Sequence, residues 1–401
     1  MPIVIKKPKI GIVGKPNVGK STFFSAATFS QAEIANFPFT TIEANKGIAY
    51  VRVEDPAYEF GKRSNPREGF IMERYRFVPI ELIDVAGLVP GAHEGRGLGN
   101  RFLDDLREGE GLIHVIDASG STDEEGRSVS INSYDPANDI RFLEKELYYW
   151  IKGIIEKNWE KLVKLSKQGK NNEEILAFAI SGLGFSLEKI RNLLVELELK
   201  DKELWRWNEE EKESLIKRIF ESKPMVIAAN KIDIPSSEQN IEKLKREFPN
   251  LTIIPTAADA ELALRRAHEA GLIYYVPGEN KFEILKKLSA QQEEALKKIE
   301  LILEKFGSTG VQQALEELIF KKLGYKAVFP GGTKKLEDSQ GRVLPDCFLL
   351  PKEAKVIDLA EAIHSDLAKY FIKAIDVRTK KLLGKDYVLK HRDIIEIISG
   401  K

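Results

Sequence analysis

The chain has 401 residues, 43% of them hydrophobic, and its formal net charge is zero. That length allows two or three domains, and the apolar content excludes a wholly disordered chain. A single cysteine, Cys347, excludes an internal disulfide framework and suits a reducing compartment. No apolar run approaches the ~20 residues of a membrane span, and the first residues lack a signal-peptide pattern. We therefore expect a cytoplasmic protein that makes no membrane contact.

The first predicted element is a short apolar strand, residues 9–13, followed by a glycine-rich loop and a helix. Residues 14–21, GKPNVGKS, fit the phosphate-loop pattern G-x-x-x-x-G-K-[ST] in full. Backbone N–H groups of such a loop, with the positive end of the following helix, form a phosphate cradle. Lys20 is expected to reach the β- and γ-phosphates and Ser21 to ligate Mg²⁺. The predicted nucleotide contacts here are Gly14, Lys15, Pro16, Asn17, Val18, Gly19, Lys20, Ser21 and Thr22.

Two further segments are expected to sense the γ-phosphate. Residues 36–41, NFPFTT, offer a threonine as a second Mg²⁺ ligand. The strand at residues 80–83 runs into Asp84-Val85-Ala86-Gly87, a D-x-x-G sequence. Asp84 is predicted to hold Mg²⁺ through water, and the Gly87 N–H to meet the γ-phosphate.

The motif predicted to read the base is Asn230-Lys231-Ile232-Asp233, which follows an apolar strand. The Asp233 carboxylate only accepts hydrogen bonds, so it matches guanine N1–H and the 2-amino group, which adenine lacks. The Lys231 stem is expected to cover the ring, while Asn230 bonds its polar edge. A second segment predicted to contact the base consists of Thr256, Ala257 and Ala258. The backbone N–H of Ala257 is expected to donate to guanine O6. The sequence therefore predicts GTP or GDP as ligand, with Mg²⁺.

The alternation of strands and helices predicts an α/β fold with a mostly parallel sheet. The strand-like runs are 9–14, 46–53, 77–84, 111–117, 223–229 and 251–256. The 106 residues from Ala118 to Lys223 are too many for one crossover. Apolar residues at three-and-four spacing predict helices there, in 140–165, 175–197 and about 208–221. Because their polar faces mix both charge signs, we expect a separate lobe of helices packed on one another.

The last part of the chain changes character. After helical segments at 258–270, 289–306 and 310–323 come strand-like pieces at 327–329, 347–350, 387–389 and 394–398, with one helix at about 356–367. This pattern predicts a small mixed domain. Residues 321–401 carry 17 Lys or Arg against 11 Asp or Glu, which fits either RNA contact or a solvated lysine-rich face.

Residues 84–103, DVAGLVPGAHEGRGLGNRFL, resemble the Obg/YchF-related GTP-binding proteins, specifically their archaeal and eukaryotic-like branch. Residues 36–41 are similar to the first switch of that family, which makes Thr41 the metal ligand. Residues 362–367, 371–374 and 384–388 are similar to its C-terminal TGS module. The resemblance implies a P-loop GTPase domain, an inserted coiled-coil-like helical domain and a ubiquitin-like β-grasp (TGS) domain.

The domain boundaries that follow are 1–118 with 223–305 for the GTPase domain, 119–222 for the insertion, 306–324 for a helical connector and 325–401 for the TGS domain. The resemblance also implies ribosome or RNA contact through the TGS and helical domains, in stress-linked translation, and we expect a monomer. Relatives nearest to YchF have an altered base-reading motif and prefer ATP, whereas Asp233 keeps the guanine-reading form. Some relatives also place a histidine in the loop after Ala118, but residues 119–138 contain none.

Catalysis is less well defined by the sequence. Ras-like enzymes orient the attacking water with a Gln after the D-x-x-G glycine, where this chain has Leu88. His93 is one candidate for that role and otherwise a structural histidine. Asn17 is another candidate, through K⁺ that its side-chain oxygen helps to bind, and otherwise stabilises the loop. We expect a slow GTPase switch; the alternative is a GTP- or GDP-binding scaffold with negligible hydrolysis.

Overall fold

A computed structural model describes residues 7–29, 45–85, 108–180, 185 and 187–400. The described residues fall into two compact units. The phosphate-loop unit comprises those within Lys9–Phe24 and Ile83–Asp259, and the C-terminal unit those within Met1–Pro8, Ser25–Leu82 and Ala260–Lys401. In the described part of the chain, no helix is both long and apolar enough to cross a membrane.

The secondary structure follows the predicted alternation. The strands are β1 (Lys9–Val13), β2 (Lys46–Glu54), β3 (Phe70–Met72), β4 (Tyr75–Asp84), β5 (Gly111–Asp117), β6 (Met225–Asn230), β7 (Thr252–Pro255), β8 (Ile273–Tyr275), β9 (Phe282–Ile284), β10 (Lys326–Pro330), β11 (Phe348–Leu350), β12 (Phe371–Asp376), β13 (Leu382–Leu383) and β14 (Ile394–Ser399). The α-helices are α1 (Lys20–Thr28), α2 (Ala137–Lys167), α3 (Asn172–Ala179), α4 (Leu187–Glu196), α5 (Glu209–Glu221), α6 (Ser237–Glu247), α7 (Ala258–Glu269), α8 (Ala290–Phe306), α9 (Val311–Glu316), α10 (Val356–Ile363) and α11 (Ser365–Lys369). A π-helical turn, Glu317–Lys322, continues α9.

In the phosphate-loop unit, β1, β5, β6 and β7 pair in parallel in that order. The apolar runs of β1, β5 and β6 are buried along nearly their whole length, as expected when helices cover both faces of a parallel sheet. Val85, directly after β4, donates its backbone N–H to the Ile12 oxygen at 3.1 Å. The carboxyl ends of these strands therefore bring the phosphate loop, Asp84 and Asn230 to one edge, where ligands of such sheets bind.

The insertion is helical, as predicted, and its longest helix is the 31-residue α2. The apolar stripe of α2 is buried, including Leu143 and Leu147. These two side chains belong to the same hydrophobic cluster as Val13, Ile83 and Leu112 of the strand region. The expectation of a separate lobe is therefore wrong, because the first turns of α2 complete the core of the strands. The domain boundaries themselves stay a prediction.

The C-terminal unit ends in a five-stranded sheet in the order β11-β10-β14-β12-β13. The central pair, β10 and β14, is parallel and the other pairs are antiparallel. Helix α10 contributes Val356 and Leu359 to the core beside this sheet. Residues 387–389 were expected to form a strand, but only an isolated bridge between Lys355 and Val388 forms there. Strand β12 occurs where no strand was predicted, because its mostly half-exposed side chains do not alternate cleanly.

Candidate nucleotide-binding site

The phosphate loop has a backbone that requires glycine at its second conserved position. Gly19 has a φ of +93°, which L side chains rarely adopt. A Cβ atom there would lie 2.2 Å from Nδ2 of Asn230. The loop passes directly into α1, whose first residue is Lys20. A bound phosphate would therefore meet free backbone N–H groups and the positive end of the helix.

Lys20 and Asp84, predicted separately from two motifs, are in contact in the structure. The Lys20 ammonium pairs with the Asp84 carboxylate and donates to the Val85 oxygen at 3.0 Å. Ser21 is exposed in the first turn of α1, so its hydroxyl is accessible. Hydroxyl and carboxylate oxygens are the donor types that Mg²⁺ prefers, so Ser21 and Asp84 fit that ion.

Asn230 joins three segments of the site. Its Nδ2 donates to the Val18 oxygen of the phosphate loop at 2.9 Å. Its Oδ1 accepts the Ala258 N–H at 3.0 Å. The side chain is buried, so both bonds are protected from water. The Asn230 amide, predicted to bond the polar edge of the base, is used in this structure to fix the loops around it.

Asp233 lies in the turn after β6 and is exposed. Two backbone hydrogen bonds hold the neighbouring segment close to this turn. The Thr256 N–H bonds the Ala229 oxygen at 2.8 Å, and the Ile232 N–H bonds the Thr256 oxygen at 3.2 Å. The structure therefore brings together Asp233 and the predicted residues Thr256, Ala257 and Ala258.

Three family models match consecutive parts of the chain. Residues 9–145 match a 50S ribosome-binding GTPase, 228–331 an Obg-like GTPase YGR210-like G4 motif-containing domain, and 334–399 a TGS domain. The GTP-binding protein MJ1332 of Methanocaldococcus jannaschii is 47% identical over 98% of this chain and 99% of its own length. The chain belongs to the Obg/YchF-related GTP-binding proteins.

Two other relatives place this GTP-binding protein within its family. A crystal structure of a GTP-binding protein from Pyrococcus horikoshii OT3 is 37% identical, covers 98% of this chain and 99% of its own, and gives a TM-score of 0.78. The ribosome-binding ATPase YchF of Bacillus subtilis is 29% identical over 96% of this chain and 97% of its own length. The P-loop GTPase fold, the helical region and the TGS domain predicted from sequence are thus confirmed.

Lys231 is anchored by a carboxylate that the sequence analysis missed. Its Nζ lies 2.8 Å from Oδ2 of Asp117, at the end of β5. Asp117 also accepts hydrogen bonds from the hydroxyls of Ser119, Ser121 and Thr122. Burial raises the pKa of Asp117, but the bonds from Lys231 and Ser119 outweigh it and hold the pKa below its usual value. The sequence does contain a signal for this residue, since Asp117, like Asp84, is an acidic residue at the end of an apolar strand.

Lys15 was predicted as a nucleotide contact, but its side chain points elsewhere. Its Nζ lies 2.8 Å from Oδ1 of Asp139 and donates to the Thr122 oxygen at 3.0 Å. Because its ammonium is bonded to these protein groups, Lys15 can contact a phosphate only through its backbone N–H. Asn17 donates from Nδ2 to the Gly126 oxygen at 2.8 Å.

The predicted switch residues Thr41, Gly87 and His93 lie outside the described residues, as does Leu88. Their roles stay predictions.

Proposed function

We propose that this protein is a guanine-nucleotide switch that binds GTP and GDP with Mg²⁺ and hydrolyses GTP slowly. The observation that carries the proposal is the joint at Asn230. This side chain bonds both the phosphate loop at Val18 and the base-side segment at Ala258. One buried side chain thereby holds together the loop that would bind the phosphates and the segment that, with Asp233, would bind the base.

The roles of the site residues follow from their chemistry. The Lys20 ammonium now pairs with Asp84, and it is the charge available to a β- or γ-phosphate. Ser21, Asp84 and Thr41 are the proposed holders of Mg²⁺, which neutralises phosphate charge when bound. The Gly87 N–H is the proposed contact to the γ-phosphate. Asp233 sets the preference for guanine, because its carboxylate would lack donors opposite adenine.

Slow hydrolysis is proposed because Leu88 has no group that orients water. Asn17 supplies the best remaining aid. Since its Nδ2 donates to Gly126, the amide is oriented with Oδ1 as its remaining acceptor. That oxygen can help to bind K⁺ near the phosphates, where a cation would offset charge developing at the β–γ bridge. His93 is the alternative group in the same role.

Ribosome or RNA contact through the TGS and helical domains is part of the proposal. It is supported by the family model described as ribosome-binding and by the name of the Bacillus subtilis relative. The excess of Lys and Arg over residues 321–401 agrees with contact to RNA phosphates. We propose a cytoplasmic monomer with the domain boundaries predicted from the sequence.

Single-turnover GTP hydrolysis in K⁺ and in Na⁺ at equal ionic strength, with and without ribosomes, tests the switch. We expect slow turnover that K⁺ accelerates, and Asn17→Ala to abolish the difference between the salts. His93→Ala should lower turnover modestly and keep the K⁺ effect. Equal rates in both salts would exclude the cation, and a collapse confined to His93→Ala would assign the role to His93. Absence of phosphate release under every condition would favour the scaffold instead.

A further inference from the structure

The first segment of the insertion, residues 119–139, contacts the phosphate loop at separate points. Lys15 bonds Asp139 and the Thr122 oxygen, as described above. Asn17 bonds the Gly126 oxygen. Gly126 has a φ of +80°, and a Cβ atom there would lie 2.5 Å from the Pro16 oxygen. The phosphate loop thus rests against this segment along three consecutive residues.

The Lys15–Asp139 pair is buried, with side chains that are 5% and 6% exposed. Tyr134 completes the arrangement: its ring lies 3.8 Å from the Lys15 ammonium, and its hydroxyl donates to Oδ1 of Asp139 at 3.0 Å. In a buried pair, each charge depends on the other for compensation. Loss of one partner should therefore displace the other, and Lys15 would carry the phosphate loop with it.

The pair borders a cavity instead of close-packed core. The cavity has a volume of about 220 Å³ and is lined by Lys15, Asp139, Tyr134 and His114, among others. Oδ2 of Asp139 and Nδ1 of His114 are buried and lack a hydrogen-bond partner among the described residues. Polar groups beside such a space can separate without repacking apolar neighbours. The contact is suited to opening and closing.

Asp139 lies in the first turn of α2, whose 31 residues extend for about 46 Å. The phosphate loop is therefore bonded to the N-terminal turn of a long helix. A partner that displaces the first turn of α2 would act on Asp139, and through it on Lys15. By thermodynamic reciprocity, a nucleotide that fixes the phosphate loop would stabilise the base of α2 to the same extent.

We propose that Lys15 and Asp139 are positioning residues that couple nucleotide affinity to the placement of the helical insertion. The inference rests on the proposed function, because the coupling acts on bound GDP or GTP. Both side chains are bonded to protein groups, so the pair acts on the phosphates through the backbone of the loop. It controls how firmly the loop holds the phosphates.

The test uses the full chain and a fluorescent GDP analogue. Lys15→Met and Asp139→Asn should each speed GDP release at least about tenfold, within the range of known couplings. Affinity for GMP, which lacks the β-phosphate, should change less than about twofold. The double variant Lys15→Met/Asp139→Leu, which removes both charges, should recover the wild-type unfolding midpoint but keep the fast release.

A matched control is available in the same segment. Asp135 pairs with Lys243 at 2.6 Å, with side chains 35% and 53% exposed. Asp135→Asn should leave GDP release unchanged, because this pair contacts neither the phosphate loop nor Lys15.

Amide hydrogen exchange at residues 137–143 supplies a second readout. GDP should slow exchange there in the wild type and not in the double variant. Wild-type GDP release in both single variants, or equal acceleration by Asp135→Asn, would overturn the inference while the proposed function stood. If the single variants release GDP fast but the double variant regains both the wild-type rate and the wild-type stability, the pair has only a structural role. Absence of GDP binding in the wild type would refute the proposed function, and the inference with it.

Discussion

The side chain of Asn230 donates a hydrogen bond of 2.9 Å to the backbone oxygen of Val18, although 212 residues separate the two in sequence. The same amide accepts the N–H of Ala258. The geometry of the phosphate loop therefore depends on a residue from the motif that reads the base. The close approach also explains Gly19, since any side chain there would collide with the Asn230 amide.

Replacing Asn230 by Ala should destabilise the protein and weaken binding of all nucleotides. The change leaves the Val18 oxygen and the Ala258 N–H buried without their partner, at a cost of about 2–4 kcal/mol for the two bonds. Urea unfolding measures this loss. Asn240→Ala is the control, since Asn240 makes similar amide bonds to Ala118 and Asn132 in a more exposed position. Equal losses in both variants would show that Asn230 has no special structural role.

Burial of His114 predicts a pH dependence of stability. The side chain is 1% exposed, and burial, helped by the charge of Lys15, lowers its pKa to about 3. In the unfolded chain the pKa returns to about 6.5, so between these values the unfolded state binds one more proton. His114 should therefore reduce stability as the pH falls below about 6.5, by up to about 1.4 kcal/mol per pH unit.

His114→Gln removes that titration. Between pH 7 and pH 5, the wild type should lose about 2 kcal/mol more free energy of unfolding than this variant. Urea unfolding at both pH values measures the difference. The same loss in both proteins would mean that the pKa of His114 does not differ between the folded and the unfolded state.

Arg76 is expected to stabilise the C-terminal unit by holding the backbone at residues 344–345. It is 1% exposed and donates to the Leu344 oxygen at 3.0 Å and the Pro345 oxygen at 2.8 Å. Arg76→Met keeps an unbranched stem but removes the guanidinium, which leaves both carbonyls without this donor. We expect a loss of about 2–4 kcal/mol in the free energy of unfolding.

Arg67 offers a matched control for Arg76. It pairs with Asp338 and Asp346 in the same region, but its side chain is 44% exposed. Exposed pairs contribute at most about 1 kcal/mol, so Arg67→Ala should have little effect. A larger loss in the free energy of unfolding from Arg67→Ala than from Arg76→Met would show that the buried Arg76 bonds are not the main stabilising contact in this region.

Much of the fold could be predicted because its signals are local. The apolar runs of β1, β5 and β6 and the three-and-four stripe of α2 each specify burial within one segment. The short strands β3, β8 and β9 were missed, since three residues carry too little periodicity.

The site shows the same division. Lys20, Asp84 and Asn230 were found because each occupies a fixed place in a motif. The pairing of Lys15 with Asp139 was not found, because no local pattern links residues 124 positions apart. A lysine within a phosphate loop was interpreted as a ligand contact, whereas burial and a carboxylate from the insertion determine where it points.

Calorimetric titration of the native chain with GDP, GTP and ATP measures its selectivity for guanine nucleotides. Selectivity depends on Asp233, whose carboxylate can accept from N1–H and the 2-amino group of guanine, whereas adenine has an acceptor at N1 and no 2-amino group. GTP and GDP should bind at least ~100-fold more tightly than ATP, because a bound adenine would cover the Asp233 carboxylate without giving it a hydrogen-bond donor. Asp233→Asn should weaken guanine nucleotides and favour xanthine nucleotides. Equal affinity of the native chain for ATP and GTP would show that Asp233 does not select guanine.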